Sequence, residues 1–150
     1  PCRIITTGLP DEYAVRLMSL AEYCRTRQFE KELKKVKKVN PKVVKEFQTL
    51  LSVIKENHGQ IPRSKDNKWE PHFLQGLKSN QKIELCYLRG SGKSSHFRVY
   101  REMLDETYVF RRIEKKSPGS QNTTKESFKK NPLYKNGRGS VLHNSYCSHP

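Results

Sequence analysis

Three β-prone runs follow one another with little between them: KIELCYL at 82–88, HFRVYREM at 96–103 and TYVFRRI at 107–113. Each is rich in β-branched and aromatic residues, which suit a pleated, half-buried surface. The connectors RGSGKSS and LDE are too short for the crossover that parallel neighbours require. The runs are therefore expected to pair antiparallel, as a meander. Such a sheet has an apolar face to cover, and the residues ahead of it supply the cover. Asn40, Pro41 and Gly59 sit where a helix wants its N-cap, first turn and terminator, and Val43, Phe47, Leu50, Leu51 and Ile54 form one stripe between them. Upstream, QFEKELKKVKKV places Phe29, Leu33 and Val36 on one face and lysines on the other. Ala14, Leu17, Met18 and Ala21 recur at helical spacing and predict a further helix over 11–24. The expected fold is α+β in two layers, N-terminal helices packed on a three- to four-stranded antiparallel sheet.

The chain length of 150 residues suits one domain, and a hydrophobic share of 33% implies a modest core. Residues 59–80 are rich in turn formers, with Trp69, Phe73 and Leu74 as anchors onto the core. After Lys116 the composition turns polar and rich in Gly, Ser and Asn, which predicts a basic, extended C-terminal tail with Phe128, Leu133 and Tyr134 as local docking points. No apolar run approaches the roughly 18 residues of a membrane span, and no signal-peptide layout opens the chain, so a cytoplasmic protein without membrane contact is expected. Cys2, Cys24, Cys86 and Cys147 are widely separated, with Cys24 read in a helix and Cys86 in a strand, as free buried thiols rather than a disulfide framework. His143, Cys147 and His149 have ligand-like residue types on the tail but too few members for a metal site, and neither metal nor cofactor is expected. GSGKSS resembles a phosphate-binding loop, yet the required glycine is Tyr87 and no βαβ unit surrounds it; a hairpin loop is the better reading.

Charge points to the partner. The formal net charge is +15, and residues 1–30 are balanced, so the excess lies wholly in 31–150. Such a surface attracts polyanions: a nucleic acid or a strongly acidic protein. Within SHFRVYRE, strand alternation puts His96, Arg98 and Tyr100 on one face and Phe97, Val99 and Arg101 on the other. The apolar pair is expected to pack under the helices while His96, Arg98 and Tyr100 stay open to solvent or ligand. Arg89 ends the preceding strand, and Arg111, Arg112, Lys115 and Lys116 end the following one, so cations from three neighbouring strands are expected to converge.

The order FEKELKKV, NHGQIP, HFLQGLKSNQKIELCYLRG, HFRVYRE, VFRRIEKKSPGS resembles the RelE/ParE toxin superfamily, above all its phage-derived and HigB-like branches. The likeness runs over 27–119, leaving 1–26 as an N-terminal extension and 120–150 as the tail. It implies a RelE-like fold and a toxin of a toxin–antitoxin system, a metal-independent endoribonuclease that cuts mRNA on the ribosome through the 2′-hydroxyl and is held by an acidic antitoxin. Arg98 matches the family's middle-strand arginine, Arg89 its Leu-Arg arginine and Lys116 a basic residue closing the last strand. These would stabilise phosphate charge, His96 would act as acid or base, and Tyr100 would stack on a base or share proton transfer. Lys93, Arg101, Arg111, Arg112 and Lys115 are the accompanying RNA contacts. Two departures stand out: Tyr87 replaces a charged residue, and the family's C-terminal helix gives way to the polar tail. Because the superfamily also holds gyrase poisons, the alternative is a non-enzymatic basic module binding nucleic acid, ribosome or gyrase.

Overall fold

The computed structural model describes residues 3–6, 15–18, 23–63, 68–78, 80–90, 96–104, 107–133 and 145–148. In chain order these carry β1 (Arg3–Thr6), β2 (Val15–Met18), β3 (Tyr23–Thr26), α1 (Arg27–Val39), α2 (Pro41–Glu56), β4 (His72–Phe73), β5 (Ile83–Arg89), β6 (His96–Leu104), β7 (Thr107–Lys115), α3 (Ser120–Lys130) and β8 (Ser145–Ser148).

The meander forms as its connectors demand, β5 pairing antiparallel with β6 and β6 with β7. Helix α1 starts where Thr26 accepts the Phe29 N–H at 3.2 Å, with Glu30 in its first turn and Lys37 and Lys38 in its last, each sign complementing the helix dipole. Pro41 opens α2 as expected. Asn40, however, makes no side-chain cap bond. Its carboxamide lies against Gly90, so a side chain directly after β5 would have to displace it. Gly59 ends α2 at φ +93°, its N–H reaching the Ile54 carbonyl at 2.8 Å, and Tyr108 occupies the space a side chain would need.

Beneath α1 and α2, Phe97 and Val99 pack with Leu88, Cys86 and Ile113, as the alternation of β6 predicts. At the centre, the Phe47 ring lies 5.2 Å from Phe110, 5.4 Å from Phe29 and 5.6 Å from Tyr23, centroid to centroid. Edge-to-face pairs of this kind add to the burial term.

Three expectations are corrected. The sheet is mixed and six-stranded, in the order β2-β3-β7-β6-β5-β4, because β3 pairs parallel with β7 and β4 adds to the other edge. The helix expected over 11–24 does not form: 15–18 and 23–26 are strands. Pairing β3 with β7 satisfies backbone groups on that outer edge, a demand that a helical apolar spacing cannot reveal. Cys24 therefore sits in a strand, while Cys86 is in a strand as expected; both are free and buried, and burial pushes both thiols up to about 12. The supposed tail contains α3, which docks on the face opposite α1 and α2. Phe128 and Leu133 are buried, and Phe128 packs edge-to-face on Tyr100 at 5.3 Å, beside Leu74, Ile83 and Leu85. The helices thus cover both faces, making three layers. Tyr134 lies outside the described residues, and β8 pairs antiparallel with β1.

Phe47→Ala removes the ring that joins three others and should cost about 3–5 kcal/mol. Val39→Ala, at a position 78% exposed, should change stability by less than about 0.5 kcal/mol. Urea denaturation of both variants checks the difference.

Candidate functional site

Residue 98 was expected on an open face, and the third layer changes that. Arg98 stands in register between Tyr87 on β5 and Glu114 on β7, only 6% exposed under the first turns of α3. Its Nη1 donates to Ser120 Oγ at 2.6 Å and lies 3.7 Å from Glu114 Oε2. Glu114 also accepts from the Tyr100 hydroxyl at 3.3 Å and from the Thr124 hydroxyl. Arg98 Nε is buried with no hydrogen-bond partner among the described residues. Tyr100 is completely buried, and burial, reinforced by Glu114, raises its hydroxyl well above the ordinary tyrosine value. Neither side chain lies open to solvent as expected. Arg98 is thus corrected from a phosphate contact to a brace between sheet and helix, and Tyr100 from a base-stacking or proton-transfer group to part of the α3 core.

The same physics removes three further cations from the expected RNA surface. Arg101 donates to Glu84 at 2.6 Å, covers the Tyr108 ring at 4.5 Å, and shares Glu84 with Arg63. Arg111 donates to Glu102 at 2.8 Å and lies over Phe128 at 4.8 Å. Burial raises the Glu102 carboxyl while Arg111 pulls it back. A register shift between Tyr100 and Arg101 makes Arg111 the extra residue of β7 and turns it towards α3. Arg112 is half-buried and meets both oxygens of Glu32, at 3.1 and 2.9 Å; that carboxylate also accepts the Ile113 N–H at the edge of β7. A guanidinium between packed layers has to be paired, since an isolated buried charge is prohibitively costly. The carboxylates on β5, β6 and β7 were the available signal: Glu84 faces Arg101 and Glu114 faces Arg98 once the strands are set in register.

What remains open lies at one end of the sheet, where the strands run out from under the helices. Arg89 ends β5, exposed, its N–H accepted by Glu46 at 3.3 Å. His96, half-buried, is its cross-strand partner. Exposed Lys115 and Lys116 follow at the end of β7, and the Lys116 N–H donates to the His96 carbonyl at 2.8 Å. The Lys116 ammonium lies 5.5 Å from the Tyr87 ring centroid, and the His72 ring leans on Tyr87 at 5.8 Å. Arg89, Lys115 and Lys116 make no salt bridge to a carboxylate among the described residues. Of the expected convergence, then, Arg89, His96 and Lys116 stand in register at neighbouring strand ends, while Lys115, opposite Phe97, alternates to the α1 and α2 side. Lys93, with the rest of residues 91–95, lies outside the described residues. His72 was not anticipated, because only the pairing of β4 with β5 brings it to Tyr87.

Among the described residues no three His, Cys, Asp or Glu side chains are grouped to hold a metal ion. His143 and His149 lie outside them, and Cys147 is on β8. No helix of the described residues is long and apolar enough to cross a membrane. No family profile, curated protein or solved structure matches the chain.

Glu114→Leu leaves the Arg98 charge buried and uncompensated, and should cost about 3–5 kcal/mol. Adding Arg98→Met should recover most of that loss, because an apolar pair can replace a buried ion pair. Lys116→Gln should be neutral within about 0.5 kcal/mol. Equilibrium urea unfolding of the four proteins measures all three effects.

Proposed function

We propose that this chain is a RelE-like toxin that cuts messenger RNA without metal, acting on the ribosome in the cytoplasm and restrained by an acidic antitoxin. The observation that carries the reading is the gathering of Arg89, His96 and Lys116 at the ends of three adjoining strands, where no described helix covers the sheet. Attack of a ribose 2′-hydroxyl on the adjacent phosphorus breaks the bond to the 5′-oxygen, leaving a 2′,3′-cyclic phosphate and a 5′-hydroxyl. One group must take the 2′ proton and another return a proton to the 5′-oxygen. His96 is the side chain there whose imidazole can take or give a proton. Arg89 and Lys116 supply positive charge where negative charge builds on the phosphate. Arg98 acts at one remove, as a positioning residue, by holding Ser120 and Glu114 and so fixing where α3 starts. Helix α3 itself supports the resemblance, since it restores the C-terminal helix that the sequence had seemed to lack.

A second reading is favoured by the helical layer. Lys31, Lys34, Lys35, Lys37, Lys38, Lys42 and Lys45 are exposed on α1 and α2, while Glu32 and Glu46 turn towards the sheet. That segregation suits a polyanion-binding module whether or not the sheet end cuts.

Primer extension on mRNA during translation with the purified chain separates the two. Under the first reading His96→Ala and Lys116→Ala each lower cleavage at least about 100-fold, with RNA affinity changed only a few-fold. Intact mRNA with the unaltered chain, and affinity falling stepwise as lysines of α1 and α2 become glutamine, would establish the second.

A further inference from the structure

A cleft of about 390 Å³ opens between β4 and the first turns of α3, next to the Tyr87–Lys116 pair. It lies within the roughly 300–1,000 Å³ range of small-ligand sites. Its lining carries no carboxylate, one cation in Lys125, and three carboxamides in Gln75, Gln121 and Asn122. The side chains of Gln121 and Asn122 have no hydrogen-bond partner among the described residues, although a carboxamide can donate and accept at once.

His72 is held ready at the other wall. Its Nδ1 lies 2.9 Å from the Glu70 carbonyl, which can only accept, so Nδ1 carries the proton and Nε2 remains available. The ring leans on Tyr87 at an interplanar angle of 33° on the α3 side of the sheet, whereas Phe73 alternates to the other side, where the Arg63 guanidinium lies over its ring at 4.7 Å. An aromatic ring next to unpaired carboxamides suits single-strand recognition, in which a splayed base is stacked and its edge hydrogen-bonded. A site for a bare phosphate would concentrate cations, and the cations here stand at the sheet end instead.

From this we infer that the cleft receives one unpaired nucleobase of the RNA, from a nucleotide next to the phosphate held by Arg89, His96 and Lys116. The inference rests on the RNA-cutting reading and adds a recognition subsite to it. His72 supplies stacking, and Gln121 and Asn122 read the base edge.

The test uses the full chain and a short 2′-O-methyl RNA, which cannot be cut, with 2-aminopurine at successive positions. At one position fluorescence should be quenched on binding, and an abasic residue there should weaken binding about tenfold. His72→Ala and the double variant Q121A/N122A should each lose a similar factor, while Lys130→Gln, exposed and outside the cleft, should not. An abasic RNA bound as tightly as the parent would overturn the inference, as would Q121A/N122A binding unchanged. This binding assay does not need cleavage, so intact mRNA in translation would count against the parent reading alone. In the cleavage assay, Q121A/N122A should shift which sites are cut; an unaltered pattern would sink the cleft while leaving the nuclease standing.

Discussion

Apart from exposed Arg89, the arginines of β5, β6 and β7 answer to one constraint: a guanidinium enclosed between two helical layers needs a carboxylate within reach. Glu84 serves Arg101 and Arg63, Glu102 serves Arg111, Glu114 serves Arg98, and Glu32 serves Arg112. These pairs contribute little net stability, because desolvation offsets most of the attraction. They specify instead. A slip of β6 by one residue would put unpaired charges against Phe47 and Phe128, which ties the register of the sheet to the seating of both helical layers. Arg98 connects the two effects most directly, since one guanidinium reaches β7 through Glu114 and α3 through Ser120.

The division between structure and surface chemistry follows from where the helices stop. Along the middle of β5, β6 and β7 both faces are covered, and charge there is consumed internally. At the strand ends no described residue covers Arg89, Lys115 and Lys116, so a cation there remains available to an external anion. The outer face of α1 and α2 extends that availability over a second surface. A long polyanion would meet positive charge on both, with binding that weakens as salt rises.

Much of the fold could be read directly. The meander followed from connector length, α2 from Pro41, Gly59 and its apolar stripe, and the inward set of Phe97 and Val99 from alternation. The misreadings share a cause. Residues 120–130 have weak helix formers and a thin apolar pattern, so α3 is decided by the docking of Phe128 and Thr124 rather than by propensity. Tyr23–Thr26 is a strand because the edge of β7 is there to pair with, a partner that four residues, two of them β-prone, cannot reveal. Missing α3 made the second face of the sheet look solvated, and so Arg98 and Tyr100 looked available.

The amino-acid sequence by itself determined the antiparallel order of the three central strands, the two helices ahead of them and the excess of positive charge, because these depend on local spacing, turn length and composition. Tertiary structure alone decided which cations are spent and which stay free. Burial and pairing are properties of what lies above a strand, and residues far along the chain, Glu114 and Ser120 for Arg98 and Glu32 for Arg112, determine them.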